Sequence, residues 1–128
     1  METIRIHATD RSPEIEFHFA ENRFLISGES YPEDGPLFFT PLLASLATHV
    51  QQMSAGSLTF DLRLIYYNSV TARFLVQLFS LLDSSAKRGV QVQIYWHYAS
   101  DDDNMQEMGE EFGEELEAAT FHMCPEEP

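Results

Sequence analysis

Positive charge is scarce in this chain. Lys and Arg together number 7 against 21 acids, for a formal net charge of −14. Nucleic acids and anionic membrane surfaces are held through Lys and Arg, so this balance argues against both as partners. Basic or mixed protein surfaces fit better. Cysteine is nearly absent. The single Cys124 excludes an internal disulfide and a cysteine-only zinc site, and suits a reducing cytoplasm. No apolar run is long enough to span a bilayer, and Met1–Arg5 lacks the apolar core of a signal peptide. A glycine-rich phosphate loop is missing too, since Gly109 and Gly113 fall in an acidic stretch. There is no His-x-x-x-His pair, cysteine cluster or Glu-x-x-His repeat to hold a transition metal. No cofactor is expected. Asp101-Asp102-Asp103 invites calcium, but without the alternating ligands and central glycine of an EF-hand it reads better as a solvated helix start.

What is present is a folded globule. At 128 residues, 44% of them hydrophobic, the chain is long enough for one domain, residues 1–128, with a real core. Thr3 to His7 can form a short strand or an extended arm. Glu14–Phe19 alternates in polarity, Ala20–Asn22 turns, and Arg23–Gly28 returns, which predicts a hairpin. Gly28–Pro36 reads as a loop by its Gly and Pro content. A helix starting between Pro36 and Pro41 should bury Phe39, Leu42, Leu43, Leu46, Val50 and Met53, and leave His49 solvated. Leu58, Phe60, Leu62 and Leu64 alternate as a strand, and Ala72–Leu82 suits a largely buried helix that ends at Lys87-Arg88-Gly89. Val90–Trp96 is another strand. Ser100–Asn104 supplies a cap for a helix with Met105, Met108, Phe112 and Leu116 on one stripe. Thr120–Met123 closes as a short strand. Strands alternating with helices imply parallel pairing through right-handed crossovers. The expected fold is α/β: one mixed sheet with an N-terminal antiparallel hairpin, later parallel strands and about three helices.

The chemistry concentrates at Asn68-Ser69-Val70-Thr71, between the strand and the helix. A hydroxyl at such a turn can be a helix cap, a nucleophile or a phosphorylation site. A serine hydrolase using Ser69 and His97 would need a glycine-flanked elbow and an orienting carboxylate. The flanks are Asn68 and Val70, which argues against it. Tyr66, Tyr67, Tyr95 and Trp96 cluster near strand ends. Trp96 and one tyrosine suit the core, with hydroxyls at the rim, and the others suit a partner surface.

The Asn68-Ser69 turn resembles the phosphorylation site of STAS-domain anti-sigma-factor antagonists. Three ordered segments give a closer likeness. Gly28-Glu29-Ser30-Tyr31-Pro32-Glu33-Asp34 with Phe38-Phe39-Thr40-Pro41 resembles the Gly-x-Ser-x-Pro-Glu-Asn and Phe-Tyr-x-Pro signature of the SiaC-like regulatory phosphoproteins. Tyr67–Thr71 resembles their Asn-Thr-Ser-Ser turn. Trp96-His97-Tyr98 with Asp103, Met105 and Gly109–Phe112 resembles their C-terminal segment. The resemblance implies a STAS-like, non-catalytic partner switch. Its unphosphorylated form would bind and activate a diguanylate cyclase, raising cyclic di-GMP for aggregation and biofilm formation. A cognate serine/threonine kinase and a PPM-type phosphatase would set its state. By position, the phosphoacceptor falls on Ser69, with Thr71 as a second candidate. Asn68, Val70, Thr71, Tyr67, Tyr31, Pro32 and Glu33 would join Ser69 in the partner surface. An anti-sigma-factor antagonist is the alternative switch.

Overall fold

The computed structural model describes all residues, 1–128. Six strands form one sheet in sequence order: β1 Ile4–Ile6, β2 Glu14–His18, β3 Arg23–Ser30, β4 Ser57–Tyr67, β5 Gln91–Ala99 and β6 Thr120–Glu126. β1, β2 and β3 pair antiparallel, and β3 through β6 pair parallel. Each parallel step is bridged by a helix: α1 Gly35–Gln51, α2 Ser69–Lys87 and α3 Asp103–Glu114. The mixed sheet, the hairpin and the three helices match the sequence expectation.

The period-two pattern decides which face is covered. On β4, Leu58, Phe60, Leu62 and Leu64 are buried, and Phe60 pairs in register with Ile94 of β5. Val92, Ile94, Trp96 and Tyr98 continue that face. It meets Phe39, Leu42, Leu46 and Val50 of α1 and Phe74, Leu75, Leu78, Phe79 and Leu82 of α2. Successive right-handed crossovers between neighbouring strands place all helices on one side, which leaves the other sheet face open. There the polar side chains bond one another. His97 Nε2 donates to Asp61 at 2.8 Å, Arg63 grips Glu126 at 3.0 and 3.1 Å, and His122 donates to Gln93 at 2.6 Å.

Four local expectations need correction. The loop of Gly28–Pro36 shrinks to Tyr31–Asp34. Gly28, Glu29 and Ser30 continue β3 by pairing with Leu64, Tyr66 and Tyr67 across a register shift, while Gly35 and Pro36 open α1 behind an Asp34 cap. α2 begins at Ser69, three residues before Ala72, because Asn68 caps it. β6 runs to Glu126, past Pro125, whose missing N–H is tolerated on an edge strand. His49 is packed rather than solvated. Its ring meets Phe19 and Phe24 edge-on, and Nε2 donates to Asn22 Oδ1 at 2.6 Å. Burial, with a smaller contribution from the N-terminal ammonium, lowers its pKa.

α3 approaches β5 and β6 through a glycine. A Cβ on Gly109 would lie 2.5 Å from Trp96 Cδ1 and 2.9 Å from Met123 Cε. Trp96 cannot yield easily, being buried and tied by its Nε1–H to the Met105 carbonyl at 3.0 Å. Gly109→Ala should gain up to about 1 kcal/mol of helix propensity and lose about 1–3 kcal/mol to overpacking. A net loss is expected in urea unfolding followed by the fluorescence of the single tryptophan.

Candidate functional site

The Asn68–Thr71 turn sits where the C-terminal end of β4 passes into α2. Asn68 is extended, with φ −96° and ψ −179°, and its Oδ1 accepts the Thr71 N–H at 3.0 Å. The cap is therefore Asn68, and Ser69 is released from that duty. Ser69 occupies the first helical position, exposed, and its hydroxyl makes no hydrogen bond within the chain. Val70 packs across Gly35, where a Cβ would collide with Val70 Cγ1. That close approach locks the starts of α1 and α2 together.

Thr71 turns inward. It is 1% exposed, and Ser30 beside it is 0% exposed. Thr71 Oγ1 donates to the Ser30 carbonyl at 3.0 Å, so its single proton is committed. The 2.9 Å contact between the two hydroxyls must then run from Ser30 Oγ to Thr71 Oγ1. Asn68 N–H also donates to the Ser30 carbonyl, at 3.1 Å. One serine of the Gly28–Asp34 segment thus pins the whole turn from 41 residues away. Thr71→Val keeps the shape and removes the donor. The unpaired Ser30 hydroxyl should cost about 1–2 kcal/mol of stability, read as a lower denaturation midpoint.

A recess of about 290 Å³ opens beside Ser69, lined by Ile65, Tyr66, Tyr67, Asn68, Ala72, Asp102, Asn104, Met105 and Met108. Ile65 is 68% and Tyr66 52% exposed, unusual for large apolar groups. Tyr31 stands edge-on to Tyr66, ring centres 5.7 Å apart. Glu33 is exposed nearby in sequence, and Pro32 is half-buried. Asp102, on the far wall, caps α3 by accepting the Met105 N–H at 3.1 Å. Tyr67 lies behind this surface. Its ring meets Trp96 edge-on, and its hydroxyl is buried without a hydrogen bond rather than placed at the rim. Burial first, and then Glu111, push its pKa up to about 12. Of the predicted partner residues, Tyr67, Asn68 and Ser69 line the recess and Tyr31 adjoins it through Tyr66, whereas Val70 faces the groove between α1 and α2, Glu33 lines a separate hollow beside β1 and α1, and Thr71 is buried. Tyr66 is among the aromatic residues that the sequence suits to a partner surface, whereas Ile65 beside it carries no such expectation. Their signal was two apolar residues in a row, breaking the alternation of β4.

The recess contains no histidine. His97 lies on the open sheet face, held by Asp61, with Glu126 Oε2 3.8 Å from its other ring nitrogen. Ser69 and His97 are not brought together, and no group of His, Cys, Asp and Glu converges as a metal site.

This one-sheet α/β domain displays an exposed hydroxyl at a strand-to-helix turn, beside a largely apolar recess. The chain belongs to the SiaC family of regulatory phosphoproteins, whose family model matches residues 6–126. Its fold is similar to the crystal structure of apo-SiaC from Pseudomonas aeruginosa, with a TM-score of 0.87 and 27% identity over 97% of this chain and 99% of that one. It is also similar to SiaC in the crystal structure of the diguanylate cyclase SiaD in complex with its activator SiaC, from the same organism. There the TM-score is 0.90 at 25% identity, over 96% and 99% of the chains. An uncharacterised protein of P. aeruginosa strain UCBPP-PA14 is 28% identical over 118 residues, 90% of each chain.

Proposed function

We propose that this protein is a non-catalytic partner switch whose unphosphorylated form binds and activates a diguanylate cyclase, and that Ser69 is the phosphoacceptor. The observation that carries the choice of residue is the contrast between two hydroxyls. Ser69 is exposed and unbonded at the first turn of α2, whereas Thr71 is buried and its proton is spent on Ser30. A kinase could reach Thr71 only by opening the helix start. The cyclase is suggested by SiaD, which is bound by its activator SiaC in the related complex. The partner face would be the rim of the Ser69 recess, with Tyr31, Tyr66 and Ile65 as apolar anchors.

A serine/threonine kinase and a PPM-type phosphatase would act on the same hydroxyl from opposite directions, and cyclic di-GMP output would follow the unphosphorylated fraction. The setting is the cytoplasm, consistent with a chain in which no helix is long and apolar enough to cross a membrane. Phosphopeptide mapping of the protein from its host tests the assignment. Phosphate is expected on Ser69, lost in Ser69→Ala and kept in Thr71→Ala. An unmodified Ser69 while the kinase is active would return the protein to a constitutive binding module.

A further inference from the structure

With Ser69 taken as the phosphoacceptor, we propose that Arg73 is the internal receiver of its phosphate, folding its guanidinium back one helical turn to clasp the modified side chain. Cations are few here and nearly all are committed. Arg5, Arg23 and Arg63 pair with glutamates, Lys87 with Asp83 and Glu117, and Arg88 with the Val50 carbonyl. That leaves Arg11 and Arg73 as the two whose side chains have no partner. Arg73 is exposed and follows Ser69 by four residues within α2.

Residues so spaced on a helix have Cβ atoms about 5–6 Å apart, and an acidic group N-terminal to a basic one is the favoured order. A guanidinium can meet a phosphate with two parallel hydrogen bonds. Before modification, Arg73 lies on the rim of a groove of about 510 Å³ between α1 and α2, beside Phe39, Leu43, Val70 and Phe74. Phosphorylation brings about −1.5 to −2 charges to a site with one uncommitted cation in reach. The clasp therefore withdraws that cation from the groove as it holds the phosphate, so one modification alters the surface at two places.

The test uses the full chain with phosphoserine installed at position 69 by genetic encoding. The second ionisation of the phosphate is followed by phosphorus NMR at low salt. Arg73→Gln should raise its midpoint by about 0.5 pH unit, roughly a threefold change in proton affinity. Arg73→Lys should recover part of that shift, by charge without the fork. Arg11→Gln should leave the midpoint in place, and 1 M salt should shrink the difference between Arg73 and Gln. The backbone N–H groups at the start of α2 act equally in every variant, so the difference isolates Arg73. Equal midpoints for Arg73 and Arg73→Gln would overturn the clasp, as would a shift produced by Arg11→Gln instead. Because the phosphate is installed rather than added by a kinase, this result is independent of whether the host modifies Ser69, which the peptide mapping decides.

Discussion

A phosphate on Ser69 is expected to weaken binding of the diguanylate cyclase at least a hundredfold while leaving the fold intact, as measured by calorimetric titration. The asymmetry comes from where the charge sits. Within the domain, Ser69 is solvent-facing at the N-terminus of α2, where a negative group gains about 0.3–1 kcal/mol from the helix dipole. Across an interface, the same group would be pressed against the apolar wall of Ile65, Tyr66 and Met108, with the Asp102 carboxylate opposite. Arg73 offsets at most one of the phosphate's charges, and burying the remainder there without a counter-charge costs several kcal/mol. Because 1.4 kcal/mol is tenfold in affinity, a cost of about 3 kcal/mol is already a hundredfold.

Two variants separate charge from shape. Ser69→Ala should bind as the parent does. Ser69→Asp should bind more weakly than the parent, but less weakly than the phosphoprotein, because a carboxylate carries less charge and bulk. In isolation Ser69→Ala should melt with the parent, and the phosphorylated and Ser69→Asp forms at the same temperature or slightly above it. Salt gives an independent check. Repulsion between exposed surfaces fades at high ionic strength, whereas a desolvation penalty persists, so the affinity gap should survive 1 M salt. Retained affinity of the fully phosphorylated protein would remove Ser69 from the interface.

The fold was legible wherever one residue's neighbours in sequence are also its neighbours in space. The alternation of Leu58, Phe60, Leu62 and Leu64 reports the buried face of β4 directly, and these side chains are 4% exposed or less. Errors arose where a distant segment decides. His49 lies off the apolar stripe of α1, and nothing local says that Asn22, in the turn between β2 and β3, will present an acceptor to it. Asn68, Ser69 and Thr71 are three polar residues at one helix start, each able to cap. Only Ser30, at the end of β3, shows that Thr71 turns inward and that Ser69 is left outside. The Gly and Pro content of Gly28–Pro36 marked a loop correctly in kind but too widely, because parallel pairing with β4 carries β3 through Ser30.

Asp83→Ala should destabilise the protein by about 3 kcal/mol, and part of that loss should vanish in acid. Asp83 lies on α2, nearly buried, and holds the segment between α3 and β6. Its Oδ1 accepts the backbone N–H groups of Glu117, Ala118 and Ala119 at 3.2, 2.8 and 2.9 Å. Lys87 stands 3.8 Å from Oδ2. Hydrogen bonds to a charged acceptor contribute about 1.5–3 kcal/mol, and removing this one strands three donors at once.

Burial works to raise the Asp83 pKa. The N–H groups of Ala119, Ala118 and Glu117, with Lys87, outweigh it and hold the carboxyl below its ordinary 3.8. A carboxyl whose pKa is lower in the folded state stabilises the fold fully above its unfolded value, and loses that contribution as pH falls through the folded value. The stability of the parent should therefore drop below about pH 4 along a segment that Asp83→Ala lacks, and the gap between the two curves should narrow. Asp83→Asn, which keeps a carbonyl acceptor without the charge, should fall between them at neutral pH. Urea titrations from pH 7 downward test this. A gap between parent and Asp83→Ala that stayed constant into strong acid would mean the side chain acts by packing alone. The matter bears on the switch, because β6 completes the sheet beside β5, and α3 carries Asp102, Asn104 and Met108 to the wall of the Ser69 recess. Loosening the anchor at Asp83 should therefore weaken partner binding even though Asp83 lies outside the recess.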